Sequence, residues 1–248
     1  MTEAITEDAL LGGRVRLRQP ATGFRVAIDP VLLAAAVPAA AGESVLDVGA
    51  GVGAAALCLA ARIGDCRVFG IEIQQDLVRV AGENVALNAL TGRVDIVTGD
   101  LTRPPPRLAA GTFDHVMANP PYHEAGRVDR SPDAGKAAAS IETVGGLAEW
   151  VGFCLAMVRR GGSVSFVHRA DRLDALLARL SPRAGAIVVF PLWPDAAGSQ
   201  PAKRVIVQAR KGLATPLRLA RGLALHADGG GYTAQAEAIL RDGAALEL

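Results

Sequence analysis

Short apolar runs, many of them β-branched, alternate along the chain with longer stretches in which apolar residues recur at helical spacing. The apolar runs predict seven strands, at 44–49, 67–73, 93–100, 113–119, 163–168, 186–191 and 204–210. Helical patterns fill the intervals at 52–63, 75–89, 143–160 and 171–180, the last with Asp171 as its N-cap. Strands that alternate with helices indicate βαβ units. The predicted fold class is therefore α/β, with a doubly wound, mostly parallel seven-stranded sheet.

The residues before this pattern predict a short strand and helix extension. From Leu10 to Gln19 arginines alternate with apolar residues, as in a half-buried strand, and Asp29-Pro30 is typical of a helix N-cap followed by the first helical position. We expect a single domain, 1–248, made of an extension (1–40), a core (41–212) and a C-terminal strand and helix (213–248).

Composition narrows the classes of protein. Half of the residues are hydrophobic, 21% are charged and the formal net charge is +1, which excludes a disordered chain and limits nucleic-acid binding to a local patch. The three cysteines form no C-x-x-C pair and the four histidines are dispersed, so we expect no disulfide framework and no metal site. No basic, apolar leader and no 18-residue apolar run occur, which predicts a cytoplasmic protein without a membrane span.

A glycine cluster follows the first predicted core strand, in V-L-D-V-G-A-G-V-G at 45–53. Gly49, Gly51 and Gly53 permit tight turning and let a ligand approach the backbone at the start of a helix. With Ala54 the same letters satisfy G-x-G-x-x-A, so an NAD enzyme is an alternative. Asp47 stands where dinucleotide sites usually have an apolar residue, and it favours a cationic ligand.

Acidic residues end three successive predicted strands, at the edge where open α/β sheets bind ligands. Asp47, Glu72 and Asp100 end the first, second and third of these strands. Glu72 is placed to accept hydrogen bonds from two ribose hydroxyls, and Asp100 lies where an adenine amino group would be. The alternative for Asp100 is that it caps a turn. This arrangement resembles the class I S-adenosylmethionine-dependent methyltransferases and implies a Rossmann-like fold. The resemblance implies cofactor contacts from Asp47, Gly49, Gly51, Gly53, Glu72, Ile73, Asp100, Leu101 and Asn119, with Arg25 near the methionine carboxylate or packed in the core.

The sequence N-P-P-Y closes the fourth predicted strand at residues 119–122. An exocyclic amine is a poor nucleophile because its lone pair is delocalised into the neighbouring π system. The Asn119 side-chain oxygen and the Pro120 carbonyl can each accept one N–H, Pro121 stiffens the turn, and Tyr122 can stack on a planar group. The alternative is an ordinary turn with a core aromatic residue. The motif resembles that of methyltransferases acting on adenine N6, guanine N2 or a glutamine amide.

Three further segments resemble the bacterial tRNA(Val) adenine N6-methyltransferase family: Q-P-A-T-G-F-R and the residues after it (19–37), the helix ending in M-V-R-R-G-G (157–162), and the tail at 223–240. The resemblance implies S-adenosyl-L-methionine as cofactor and RNA, tRNA in particular, as partner, with the adenine 3′ of the anticodon as acceptor. Guanine N2 in ribosomal RNA, a protein glutamine, and a non-catalytic nucleotide- or RNA-binding module remain alternatives. Basic residues that could contact phosphates are Arg14, Arg16, Arg18, Arg127, Arg130, Lys136, Lys203 and Arg204.

Overall fold

A computed structural model describes residues 4–22, 25–121, 123–124, 141–142 and 146–248. The strands are β1 (Ile5–Leu10), β2 (Val15–Pro20), β3 (Ser44–Val48), β4 (Arg67–Glu72), β5 (Val94–Thr98), β6 (Phe113–Ala118), β7 (His123–Glu124), β8 (Ile141–Glu142), β9 (Val158–Arg169), β10 (Ala184–Asp195), β11 (Arg204–Lys211), β12 (Arg218–Leu219) and β13 (Leu223–His226). The α-helices are α1 (Asp29–Ala36), α2 (Ala54–Arg62), α3 (Gln75–Leu87), α4 (Leu147–Met157), α5 (Leu173–Leu180) and α6 (Ala234–Leu240).

The central sheet confirms the predicted α/β class, but it has nine strands rather than seven. Its order is β12-β10-β11-β9-β6-β3-β4-β5, and β13 pairs with β10 beyond β12. All neighbouring pairs are parallel except those that involve β11. The predicted number was too low because β12 and β13, of two and four residues, are too short to produce a clear apolar pattern.

The strand order reverses between β3 and β6. After β3 the chain adds β4 and β5 on one side, then returns to place β6 on the other side of β3. Loops that leave the carboxyl ends of these two strands diverge there and open a crevice, where ligands of open α/β sheets bind.

Helices cover both faces of the sheet. Apolar residues of α1, α2, α3 and α6 form one buried cluster, and those of α4 and α5 form another around the opposite face. Two predicted helix ends were wrong. The helix predicted to run to 160 ends at Met157, where β9 begins. Asp171 does not cap α5, because it lies in a 3-10 turn and its carboxylate binds the Arg169 guanidinium.

The single strand predicted from Leu10 to Gln19 is replaced by a hairpin of two strands, β1 and β2. This hairpin lies on α3. Asn84 and Asn88, one helical turn apart, bind the outer edge of β2. The Asn84 side chain accepts from the Arg18 N–H at 2.7 Å and donates to the Arg18 carbonyl, and Asn88 does the same with Arg16. Two amide side chains therefore replace a neighbouring strand. Asp29, predicted as an N-cap, is the first residue of α1 and forms an ion pair with Arg204.

Candidate active site at the carboxyl edge of the sheet

The glycine loop turns directly out of β3 and leads into α2. Gly49, Gly51 and Gly53 have φ of +73°, +55° and +89°, a region that side chains disfavour. The N–H groups of Gly49 and Ala50 both donate to the Ile71 carbonyl on β4, at 2.8 and 3.0 Å. A Cβ added to Gly51 would meet no atom within 4 Å, so the loop presents bare backbone to open space there.

Gly49 is required for a second reason, which is a packing contact. A Cβ at this position would lie 2.5 Å from the Trp150 ring of α4. The spacing of Trp150 and Phe153 on a helix predicts core residues, and both are buried. The Trp150 indole N–H, however, is buried without a hydrogen-bond partner among the described residues. Sequence patterns did not associate this residue with the site, because nothing local reveals that α4 reaches the glycine loop.

Asp47 is a buried carboxylate at the end of β3, only 3% exposed. Its Oδ2 atom has no hydrogen-bond partner within the described part of the chain. The pKa of Asp47 is raised to about 7: burial is the main cause, the negative charge of Glu72 also raises it, and a hydrogen bond from the backbone N–H of Ala56 lowers it. A buried carboxyl oxygen without a partner is costly, and this position is suited to a cation.

Glu72 lies at the end of β4 and holds the glycine loop. Its Oε2 accepts from the Gly51 N–H at 3.0 Å, and its Oε1 accepts from the Gln74 N–H at 2.9 Å. A carboxylate has about four acceptor sites, so these two bonds leave capacity for hydroxyl donors. The contact of Glu72 with the ribose stays a prediction. Its hydrogen bond to the glycine loop is a structural role that the sequence did not reveal.

The next strand ends contribute apolar and acidic surface. The Ile73 side chain, directly after Glu72, is 47% exposed although it is large and apolar, and Leu101 is half-buried. The Asp100 Oδ1 atom accepts from both the N–H and the hydroxyl of Thr102 at 2.8 Å, and these bonds hold the pKa of Asp100 below its usual range. Asp100 thus forms the predicted turn cap, and its contact with an adenine remains a prediction.

Arg25 lies beside the N-terminal hairpin. Its guanidinium donates to the Asp8 carboxylate at 2.6 Å and to the Thr6 hydroxyl at 2.9 Å. Arg16 and Arg18 are paired with Glu7, and Arg18 also with Glu83. These three arginines are therefore paired with local acids, whereas the Arg14 guanidinium donates to the Leu11 and Arg241 carbonyls. The methionine-carboxylate contact of Arg25 stays a prediction.

Asn119, Pro120 and Pro121 follow β6 at the side of the glycine loop. Ala118 of β6 is the register partner of Val48 of β3, so Asn119 and Gly49 leave two neighbouring strands at the same level. Pro120 is buried and Pro121 is half-buried. Tyr122 and the loop cations Arg127, Arg130 and Lys136 lie outside the described residues. The register brings the predicted acceptor motif and the predicted cofactor loop to one crevice.

The described residues fit S-adenosylmethionine. This cofactor carries a sulfonium and an α-ammonium group, and the buried Asp47 Oδ2 atom, which has no partner among the described residues, can face such a cation. The bare backbone at Gly51 and the exposed apolar surface of Ile73 suit a ribose and an adenine, which require close approach and apolar contact.

Neither a metal site nor a membrane-spanning helix occurs in the described ranges. No group of three His, Cys, Asp or Glu side chains there is placed to hold a metal ion. None of the helices described is both long and apolar enough to cross a membrane.

Comparisons with known proteins agree with this geometry. The model of the methyltransferase small domain matches residues 25–136. The tRNA1(Val) (adenine(37)-N6)-methyltransferase of Aeromonas hydrophila is 30% identical over 77% of this chain and 78% of that protein. The protein of the same name from Aeromonas salmonicida is 29% identical over 85% and 86% of the two chains. A crystal structure of a predicted O-methyltransferase from Agrobacterium tumefaciens has a TM-score of 0.74 at 25% identity, covering 89% of this chain and 99% of that one.

The fold, the carboxyl-edge crevice and these relatives lead to one assignment. The structural neighbour shares the Rossmann-like architecture over nearly its whole length. The sequence relative covers more than three quarters of both chains. The chain belongs to the tRNA1(Val) (adenine(37)-N6)-methyltransferase family and is an S-adenosylmethionine-dependent methyltransferase.

Proposed function

We propose that this protein methylates the exocyclic N6 amine of an adenine in tRNA, adenine 37 beside the anticodon. The observation that carries the proposal is the register of β3 and β6, which brings Asn119 to the side of Gly49. An acceptor amine held at Asn119 would then lie next to the end of the cofactor that the buried Asp47 carboxylate attracts. The names of the Aeromonas relatives support the choice of adenine and of tRNA.

The N-P-P segment has a specific task in this reaction. The Asn119 side-chain oxygen accepts one N–H of the adenine amine and the Pro120 carbonyl accepts the other, which favours a pyramidal nitrogen with a localised lone pair. Pro120 and Pro121 have no backbone N–H and fixed φ, so the turn is stiff. Tyr122 offers a face for base stacking, worth about 1–3 kcal/mol.

S-adenosylmethionine, when bound, supplies an electrophilic methyl group on a sulfonium. The cofactor would donate this methyl group to the adenine nitrogen, with S-adenosylhomocysteine as the leaving group and water as the acceptor of the extra proton. Because the proton leaves after transfer, positioning matters more than a strong base. We propose Asp47, the glycine loop at Gly49, Gly51 and Gly53, and Glu72 as the cofactor-holding residues, with Ile73, Asp100, Leu101 and Arg25 around them.

The acceptor is the most specific part of the proposal. A base reached by this enzyme must be unstacked or already exposed, as the bases of an anticodon loop are. Because tRNA is the acceptor, we place the activity in the cytoplasm. Guanine N2 of ribosomal RNA and a protein glutamine amide present the same kind of amine, so the acceptor must be tested directly.

The test is transfer of labelled methyl groups from S-adenosylmethionine to unmodified tRNA, ribosomal RNA and protein in parallel, followed by nucleoside and residue analysis. We expect N6-methyladenosine in tRNA, located at position 37 by nuclease mapping of an unmodified tRNA1(Val) transcript. Label in N2-methylguanosine or in N-methylglutamine would contradict the proposal and identify the acceptor. If NAD raised the melting temperature and S-adenosylmethionine did not, the assignment of S-adenosylmethionine as the cofactor would be contradicted.

A further inference from the structure

Four basic residues meet where β9 ends and β11 begins. We call this set the basic edge, made of Arg169, Arg172, Lys203 and Arg204. Arg169 and Arg204 are direct register partners across the antiparallel pair, and the Ala170 N–H donates to the Lys203 carbonyl at 3.1 Å. Like charges directly opposite each other are unfavourable in a sheet. The pairing of Arg169 with Arg204 therefore does not by itself stabilise the sheet.

The basic edge lies at the level of the acceptor motif. Phe166 of β9 is the register partner of Ala118 of β6, the residue before Asn119. Two and three residues beyond Phe166, His168 and Arg169 continue β9 beside the N-P-P turn. This is the side of β6 that faces away from β3 and the glycine loop. A substrate held at Asn119 would extend over the basic edge without covering the cofactor.

Three arginines of the basic edge act on one buried histidine. His168 is buried beneath the basic edge, and its pKa falls to about 4 because of burial and of the positive charges of Arg172, Arg204 and Arg169, opposed by Asp171. Arg169 is paired with Asp171, and Arg204 is paired with Asp29 at 3.1 Å. These pairs orient two guanidiniums whose side chains are each 33% exposed. Lys203 is exposed beside them.

The N-terminal hairpin provides a contrast within the same chain. There Arg16, Arg18 and Arg25 are each paired with an acid, namely Glu7, Glu83 or Asp8. At the basic edge, by contrast, Lys203 is exposed and forms no ion pair with any residue that the structure describes. Arginine binds phosphate oxygens through two parallel N–H groups, and contacts to phosphates set the register of a protein on a nucleic acid.

We propose that the basic edge binds backbone phosphates of the RNA substrate next to the target adenine, and so positions the base at Asn119. This inference rests on the proposed function, since it assigns the docking surface of the same site. It also restricts the substrate to a phosphodiester chain long enough to reach from Asn119 to Lys203, and thereby disfavours a free nucleoside.

The test compares Arg169→Gln, Lys203→Gln and the double variant with Arg159→Gln in the full-length protein. Arg159 is a matched control, because it lies at the opposite end of β9 and its Nε is paired with Asp114 at 2.7 Å. The readouts are KM for an unmodified tRNA1(Val) transcript at saturating S-adenosylmethionine, the salt dependence of transcript binding, the affinity for S-adenosylmethionine, and the melting temperature.

We expect the double variant to raise KM for the transcript about tenfold and to lower the slope of log affinity against log salt by about one to two. Cofactor affinity should be retained, and Arg159→Gln should change neither KM nor the salt slope. Unchanged KM and salt slope in the double variant, or an equal loss in Arg159→Gln, would contradict this inference while leaving the proposed function intact. Wild-type protein that methylates no tRNA would contradict the proposed function, and this inference with it.

Discussion

The carboxylate of Glu72 accepts a hydrogen bond from the backbone N–H of Gly51, 3.0 Å away on the glycine loop. The same side chain accepts from the Gln74 N–H. One residue at the end of β4 thus fixes the loop after β3 and the turn before α3. The cofactor crevice is held in shape by a residue that is also expected to contact the cofactor.

Replacement of Glu72 should therefore reduce stability even without cofactor. Glu72→Ala removes two hydrogen bonds to a charged acceptor that is only 7% exposed, and we expect a loss of about 3 kcal/mol in the free energy of unfolding. Glu83→Ala is the control, since Glu83 is partly exposed and forms only surface ion pairs, with Arg79 and Arg18, and it should lose less than about 1 kcal/mol. Chemical denaturation of the ligand-free proteins measures both. Equal losses would show that Glu72 does not hold the loop.

The raised pKa of Asp47 predicts a pH dependence of stability. The folded protein keeps this proton up to about pH 7, while the unfolded chain releases it near 3.8. The free energy of unfolding should therefore fall between about pH 4 and 7, by roughly 4 kcal/mol from this residue. Asp47→Asn lacks the titration, so the ligand-free variant should be more stable than wild type at pH 8. A variant with the wild-type pH dependence would contradict this prediction.

The same carboxylate predicts a pH dependence of cofactor binding. A sulfonium or ammonium favours the ionised form of Asp47, so binding should release a proton, and affinity should decline as pH falls below 7. The decline is at most about tenfold per pH unit for one proton. Calorimetric titration of S-adenosylmethionine at pH 6 and 8 tests it. Asp47→Asn should bind more weakly at pH 8 and show a smaller change with pH; affinity equal to wild type would exclude the proposed role.

Gly49 and Gly51 provide a matched pair of substitutions. Both have positive φ, so alanine at either position strains the backbone by about 1 kcal/mol. At Gly49 the new methyl would also overlap the Trp150 ring, whereas at Gly51 it enters open space. We expect Gly49→Ala to lose about 2–4 kcal/mol in total, with the excess coming from overpacking.

The contact itself can be tested by a double-mutant cycle. Trp150→Leu shortens the side chain that meets Gly49, so Gly49→Ala should cost less in that background than in wild type. The coupling is read from melting or denaturant curves of the four proteins. Additive losses would show that the Trp150 ring does not limit this position.

Asn119 separates catalysis from cofactor binding. Asn119→Ala removes an acceptor for one amine N–H, and we expect kcat/KM for tRNA to fall about 100- to 1,000-fold, the range for loss of a single preorganised hydrogen-bonding group. The affinity for S-adenosylmethionine should persist. Asn88→Ala, at the C-cap of α3, should retain turnover because the Asn88 side chain binds only the backbone of Arg16 and of Asn84. Loss of cofactor binding in Asn119→Ala would contradict the acceptor role.

The residues of the crevice were predictable because they depend on strand ends. Once the apolar runs were recognised, parallel pairing required Asp47, Glu72 and Asn119 to meet at one edge, and the register of β3, β4 and β6 does bring them there. That Glu72 would bind Gly51 was not predictable, because the path of the glycine loop depends on φ values that the letters alone do not specify.

Contacts between distant elements account for the rest of what the sequence did not reveal. Trp150 has the helical spacing of a core residue, and only the packing of α4 brings its ring to Gly49. Arg25 forms an ion pair with Asp8 because the hairpin folds beside it. No local sequence pattern links these two residues. The division of the chain at residues 40 and 212 stays a prediction.

Asn84 of α3 and Asn88, which caps the end of that helix, have a consequence for the behaviour of this protein in a crowded solution. A two-stranded hairpin leaves an outer strand whose main-chain groups could recruit a strand from another molecule, which is how many aggregates start. Asn84 and Asn88 occupy the donors and acceptors of Arg18 and Arg16 from the side of the protein itself. Removal of these two side chains would leave the outer edge of β2 free to pair with a strand of another molecule. They therefore contribute to solubility as well as holding the hairpin in place.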